Sequence, residues 1–449
     1  MKTSVIIISF IYFLSNMAFT QIIFEDSGQE LGNNKDFHLK LADIDNDGDI
    51  DAIEGGRIYS IRLNDGNGKF TLSQTINGNG NLDVADLDGD TYLDLFLSGD
   101  TGDSNRVWLN NKKGVFVSTH QLLGDISYSS RDVALGDLDG DNDIDAFVAN
   151  HDNPSTPIDD GDNWVFFNDG NGFFTISEQA KLGNDWCNNI NLGDIDKDGD
   201  LDAIVANNTY KFNKGHEVWI NDGNGIFKRD SNILDSLAGN IELKDFDNDT
   251  DLDIFISYSD YRYNILDSCI LFINDGTGTF TPGQKFKNLK GDYCIGDINN
   301  DNFIDVLLDS LWLNNGNGTF SNAGALITII EKIPTALKDL DGDGDLDAYI
   351  INDGPNKVYI NKTQSKIENK LLNNIFKIYP NPVQNTLQIE CPGLLQTETN
   401  YKIIDLTGKT LQEGKLTGNT VDVSQISKGT YILNLDINEE NLNQKFIIK

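Results

Sequence analysis

DIDNDGDID at residues 43–51 is the first of seven copies of one acidic nonapeptide. DLDGDTYLD (86–94), DLDGDNDID (137–145), DIDKDGDLD (194–202), DFDNDTDLD (245–253), DINNDNFID (297–305) and DLDGDGDLD (339–347) follow, their starts 42 to 57 residues apart. Recurrence at that period marks a repeat architecture and outweighs any local propensity. The parts around each copy keep one order. An alternating run such as Ile241-Glu242-Leu243-Lys244 leads in, and an apolar run such as Ala203-Ile204-Val205-Ala206 leads out. A third run ends in Asn, as in Val218-Trp219-Ile220-Asn221, and a turn such as NDGNGIF (221–227) starts a fourth run at its Phe. The Asn-Asp-Gly and Gly-x-Phe steps tolerate positive φ in a tight hairpin. Four short antiparallel strands per unit, with no helical periodicity, predict an all-β fold, a seven-bladed β-propeller. A β-helix also repeats, but its period is much shorter than 42 residues.

The ends of the repeat array predict how the ring closes. The seventh unit passes through Tyr349-Ile350-Ile351 to Val358-Tyr359-Ile360-Asn361 and has no Gly-x-Phe strand. IIFEDSGQELG (22–32) resembles GFFTISEQAKLG (172–183), so this first mature strand is expected to complete the last blade and hide two sheet edges.

Within each nonapeptide the side-chain oxygens fall at positions 1, 3, 5 and 9. The candidate metal ligands are Asp43, Asp45, Asp47 and Asp51; Asp86, Asp88, Asp90 and Asp94; Asp137, Asp139, Asp141 and Asp145; Asp194, Asp196, Asp198 and Asp202; Asp245, Asp247, Asp249 and Asp253; Asp297, Asn299, Asp301 and Asp305; and Asp339, Asp341, Asp343 and Asp347. Position 7 is expected to add a backbone carbonyl. A flexible cage of this many oxygens suits Ca²⁺. Up to seven calcium sites of unequal occupancy are predicted. Loops one, four and seven keep glycine at position 6 (Gly48, Gly199 and Gly344), where the chain turns back; the others carry Thr91, Asn142, Thr250 and Asn302. With Asn299 at position 3, the sixth loop ranks among the weakest. The competing reading makes the aspartates solvated turn residues.

Composition agrees with export and a cation-dependent fold. The net charge is −37, from 71 acids and 34 bases, and 32 of the acids lie in the seven loops. Such a surface excludes a nucleic acid partner. Residues 1–20, with Lys2 and an apolar run from Val5 to Phe19, read as a signal peptide cleaved before Gln21, leaving no transmembrane anchor in the mature chain. Cys187, Cys269, Cys294 and Cys391 form no CxxC and read as free thiols rather than a disulfide scaffold.

The nonapeptides and the strands after them resemble FG-GAP/VCBS repeats, the integrin-like propellers whose aspartate loops bind calcium, over residues 21–361. The resemblance implies that the cation loop joins the first two strands of each blade and that the sites are structural. After a polar linker (362–375) the acidic pattern stops, and residues 376–449 read as a small β-sandwich. Tyr379-Pro380-Asn381-Pro382, Asp405-Leu406-Thr407-Gly408-Lys409, Gly429-Thr430-Tyr431 and the basic end resemble the C-terminal sorting domain of the Bacteroidota type IX secretion system. That implies contact with the secretion machinery and delivery to the outside or the cell surface.

For function, a non-catalytic adhesion or glycan-binding module leads, with an extracellular glycan or surface protein as partner. A calcium-dependent polysaccharide lyase and a rigid spacer are the alternatives. The carboxylates are committed to cations, and there is no HExxH or GxSxG. The long connections His151–Asp162, Asn207–His216 and Tyr258–Asp267 are expected on the face opposite the acidic loops. Candidate ligand-face residues are Tyr128, His151, Trp186, Tyr210, Tyr258, Tyr261 and Tyr263, rings that could stack on sugars.

Overall fold

The computed structural model describes residues 24–32, 38–100, 102–126, 128–152, 162–179, 182–183, 187–207, 216–230, 239–260, 265–287, 293–308, 310–324, 335–352, 354–362, 377–390, 399–405, 409–416, 419–437 and 440–449. The expected signal peptide and Cys391 lie outside them. The chain divides into two compact units, Met1–Thr363 and Gln364–Lys449.

The first unit is a β-propeller built from seven four-stranded antiparallel sheets. Blade one shows the pattern: His38–Ala42, Asp51–Gly55, Ile58–Asn64 and Phe70–Asn77 pair in sequence order. The acidic loop joins its first two strands, and the NDGNG turn joins the last two. Both connections therefore lie at one end of the sheet, and the link between the second and third strands lies at the other. Every strand after an acidic loop starts at the position-9 aspartate, and all seven outer strands start at a phenylalanine, Phe24 in the seventh blade and Phe70 to Phe320 in the others. The seventh blade pairs Thr335–Lys338, Asp347–Ile350 and Lys357–Asn361 with Phe24–Asp26, the last two in the register Phe24↔Asn361, Glu25↔Ile360 and Asp26↔Tyr359. The ends of the ring are thus joined by the N-terminal strand, as the sequence predicts.

Apolar residues alternate on both faces of each blade, because each sheet packs between two others. A buried cluster fills each junction. Ile53, Tyr59, Leu95 and Phe116 sit between blades one and two; Phe96, Val107, Phe166 and Phe174 between two and three; Phe147, Val165, Ala203 and Phe227 between three and four. Ile204, Val218, Ile254 and Phe272 fill the next junction, then Phe255, Phe286 and Phe320, then Ile298, Leu311 and Leu337, and finally Leu41, Phe70, Leu340 and Tyr349 between blades seven and one. Cys187, Cys269 and Cys294 are buried in these layers.

Polar clasps reinforce the junctions. The Asn that ends each third strand is buried, and in blades one to six its Nδ2 donates to the position-2 carbonyl of the preceding blade's acidic loop. The pairs are Asn110 to Ile44, Asn168 to Leu87, Asn221 to Leu138, Asn274 to Ile195 and Asn314 to Phe246, at 2.7–2.8 Å. Asn64 donates to Leu340 at 2.8 Å and so carries the clasp across the closure. A second clamp uses glutamine. Gln74, Gln121, Gln179 and Gln284 each accept from the phenylalanine N–H that opens the next blade's outer strand and donate to a carbonyl beside it. Gln29, just after the N-terminal strand, does the same to Phe70 and Gly68.

The second unit has two sheets, one of Lys377–Tyr379, Thr386–Glu390 and Thr420–Asp422, the other of Thr410–Leu416, Thr399–Asp405, Gly429–Ile437 and Glu440–Ile448. Leu387, Ile389 and Val421 from the first share one core with Ile403, Leu433, Leu435 and Phe446 from the second. Asn381 in the Pro-Asn-Pro turn accepts from the Ile447 N–H at 2.9 Å, which ties the turn to the last strand.

Candidate metal centres

Each acidic loop is folded by its own aspartates. The position-1 carboxylate accepts the position-6 N–H in all seven copies, from Gly48 to Asp43 at 3.0 Å through to Gly344 to Asp339 at 3.0 Å. The position-5 carboxylate accepts the position-7 N–H, at 2.9–3.2 Å. These bonds need a backbone that doubles back. Position 6 has positive φ in every loop, including the β-branched Thr91 (75°) and Thr250 (78°). Position 4 is also left-handed throughout, at Asn46, Gly89, Gly140, Lys197, Asn248, Asn300 and Gly342. That second turn is not part of the sequence reading, although its Asn/Gly bias is visible there.

Position 9 does more than the sequence suggests. Asp51, Asp94, Asp145, Asp202, Asp253, Asp305 and Asp347 are fully buried. One oxygen of each accepts the position-2 N–H, and the other accepts the N–H of the clasp asparagine, as in Ile44 and Asn64 to Asp51, both at 2.8 Å. Burial pushes these carboxyls up, to about 6 for Asp51, Asp202, Asp253 and Asp347 and about 7 for Asp94, Asp145 and Asp305, and the backbone donors only partly offset it. The position-9 carboxylate is therefore the bolt between loop, blade and neighbouring blade as well as a candidate ligand.

Position 3 has a different environment. Oδ1 of Asp45, Asp88, Asp139, Asp247 and Asp341 is buried without a hydrogen-bond partner, and Asp194 at position 1 of loop four has the same kind of orphan. Burial, then the charges of the neighbouring loop aspartates, raise the Asp45, Asp88, Asp139, Asp196 and Asp247 carboxyls. Three carboxylates, each with an oxygen within 4.8 Å of the others, meet at Asp43/Asp45/Asp51, Asp86/Asp88/Asp90, Asp137/Asp139/Asp145, Asp194/Asp196/Asp202 and Asp245/Asp247/Asp249. Such clusters could hold metal ions. In loop six, Asn299 turns its amide onto Asp301 Oδ2 (2.9 Å), so the position-3 side chain is spent inside the loop.

The expected ligand face is described only in part. Trp186, Tyr210, Tyr261 and Tyr263 lie outside the described residues. Tyr128 is not in a connection between blades: it opens the strand Tyr128–Gly136, opposite Asp152. His151 is half-buried within Asp145–Asp152, opposite Ser129. Tyr258 likewise lies inside the strand Asp253–Asp260 and pairs with Gly239 and Ser268. The blade-five connection is thus shorter than predicted, because backbone ladder pairing continues past the apolar run that marks the strand core, while those of blades three and four lie within two residues of the expected bounds. In blade five the hairpin narrows to residues 261–264, between Asp260 and Ile265.

Comparison with known proteins agrees with this architecture. Residues 86–148 and 155–205 match the FG-GAP-like repeat family, and residues 377–449 match the secretion system C-terminal sorting domain. The propeller thus contains FG-GAP-like repeats, and the C-terminal unit carries a sorting domain. Similar solved structures include PorZ, an essential surface component of the type-IX secretion system of Porphyromonas gingivalis, at 15% identity and TM-score 0.46 over 94% of this chain and 60% of that one. The Dos1 propeller is 11% identical, with a TM-score of 0.44 over 69% of this chain and 75% of its own. Similarities at this level concern the fold alone, and the chain spans about 60% of the PorZ chain's length. No curated protein matches the chain.

Proposed function

We propose that this propeller, which its tail routes through type IX secretion to the cell surface or extracellular space, is a calcium-stabilised, non-catalytic module for adhesion or glycan binding. Calcium is the proposed ion because the cages are all oxygen, irregular and roomy. The observation that carries the metal reading is the buried, unpartnered Oδ1 at position 3 in five loops. Backbone hydrogen bonds account for the carboxylates at positions 1, 5 and 9, apart from the Asp194 Oδ1 of loop four. Nothing in the loop accounts for the position-3 oxygen, and a buried carboxylate oxygen without a donor or cation is costly. Residues at positions 1, 3 and 5, with position 9 contributing in loops one, three and four, would hold the ion; the ion would neutralise carboxylates that otherwise repel.

The division of labour follows from the blade. Acidic loops and NDGNG turns share one end and stabilise the ring, which leaves the other end for recognition by residues such as His151, Tyr210, Tyr261 and Tyr263. The test is a glycan array with the mature protein, in calcium and after chelation. Saturable binding without product formation is expected. Chain shortening of a bound polysaccharide would replace this reading with an enzymatic one, and absence of glycan binding would point to a protein partner or a spacer.

A further inference from the structure

Blade two departs from its neighbours at two facing positions. In blades one, three, four and five the third residue of the NDG turn is glycine with φ of 70–77° (Gly66, Gly170, Gly223 and Gly276). The position-7 carboxylate of the same blade lies on it. A Cβ at these glycines would come within 2.4–2.6 Å of Asp49, Asp143, Asp200 and Asp251 respectively. Blade two has Tyr92 at position 7 and Lys112 in place of the glycine. Lys112 keeps the left-handed backbone, φ 67°, which a lysine adopts only at a cost. Its ammonium lies 3.0 Å from Asp90 Oδ2 and 5.9 Å from the centroid of the Tyr92 ring.

We infer that Lys112 supplies the second acidic loop with a cation of its own, so that this loop is folded without metal and binds calcium much more weakly than the regular loops. The paired replacement makes chemical sense. Tyr92 removes the carboxylate that would cover a glycine, and its ring face accepts the ammonium. Loop two then holds four carboxylates against one ammonium, where loop one holds five carboxylates. The cage itself remains, since Asp86, Asp88 and Asp90 still converge within 4.8 Å and Asp88 Oδ1 is still buried without a partner. Charge, not shape, separates this loop from the five-carboxylate loops. Lysines also reach loops five and seven, Lys197 to Asp251 and Lys362 to Asp341, but both loops keep the position-7 aspartate and all five carboxylates.

The inference rests on the reading that regular loops bind calcium, and one experiment separates the two. Terbium(III) is titrated into the mature protein, and luminescence sensitised through Tyr92 is isolated by difference from a Tyr92→Phe variant, while calcium-dependent melting reports the regular loops. Removing a positive charge this close, discounted for exposure, should tighten the Tyr92-dependent site about tenfold in Lys112→Gly. Glycine also relaxes the left-handed turn, so this variant folds. Lys112→Gln, which keeps the bulk and loses the charge, should tighten it likewise. Equal midpoints in the wild type and both variants, or no Tyr92-dependent signal in any of them, would overturn the inference. If wild-type melting ignores calcium, the general reading fails, and a tenfold gain at Tyr92 would still support a lysine-neutralised loop.

Discussion

Asn221→Ala should be among the more damaging single changes in the propeller, although it removes no apolar core side chain and leaves intact the backbone N–H that Asn221 donates to Asp202. Asn221 is 3% exposed. Its Nδ2 donates to Leu138 O in the preceding blade at 2.8 Å and to Leu201 O in its own loop at 3.1 Å. Truncation deletes both bonds and strands two carbonyls, the Leu138 oxygen fully buried. At about 1 kcal/mol per net hydrogen bond and about 1–3 kcal/mol for a buried acceptor left unpaired, the loss is about 3–5 kcal/mol. The side chain's own Oδ1 is buried without a partner, and its removal returns about 1 kcal/mol. A net cost of about 2–4 kcal/mol follows. Asn224, three residues on, is the internal control. It bonds only within its exposed turn, to Asp222 O at 3.1 Å, so Asn224→Ala should cost about 0.5 kcal/mol or less. Urea unfolding followed by tryptophan fluorescence, in saturating calcium so that ion binding is held constant, gives both values. Equal losses for the two variants would refute the clasp as an energetic link between blades.

Chelation should lower the melting temperature of the propeller, and Asp198→Ala in the regular fourth loop should cost more than Asp301→Ala in the sixth, where Asn299 already binds Asp301; an unchanged melt after verified demetallation argues against calcium linkage. Removing residues 22–32 should speed amide exchange in Asp347–Ile350 and Lys357–Asn361, because the last blade loses its outer strand and the Gln29 clamp; unchanged protection there would contradict the closure. The position-9 carboxyls give a pH signature. Their folded-state values, about 6 to 7 without metal, lie above the ordinary 3.8, so the stability they contribute to the metal-free protein is complete below about pH 4 and is lost as pH rises through 6 to 7. Demetallated protein should therefore weaken between about pH 4 and 7, with calcium restoring more stability at the upper end; a calcium-dependent gain that shrinks over that window would count against the assignment.

Much of this architecture is legible because it is repeated. A single DIDNDGDID could be any Asx-rich turn, whereas seven copies fix the blade, the place of its acidic loop and the left-handed residue at position 6. The closing strand is legible for the same reason, through the likeness of 22–32 to an internal outer strand. Other features need coordinates. Position 9 reads as a ligand like the rest, because sequence spacing says nothing about Asp51 meeting the Asn64 N–H thirteen residues away. The glutamine clamps recur four or five residues after an outer-strand phenylalanine, as Phe116 and Gln121 do, but their target lies in the next blade. The lengths of the far-end connections are misjudged, since strands there are set by ladder pairing rather than by apolar alternation.

Closure by the N-terminal strand also orders events during biogenesis. Residue 24 pairs with residue 361, the longest-range strand pairing in the propeller. A chain growing from its N-terminus makes Phe24–Asp26 first and must leave it without a partner until every other blade has been made. Partial products are open arcs with a bare edge at blade seven's position. The ring can shut only after the last propeller strand exists, just before the linker to the sorting tail begins. The sorting tail thus becomes available only once everything needed to close the ring has been synthesised, so a truncated, unclosable propeller lacks the type IX sorting domain.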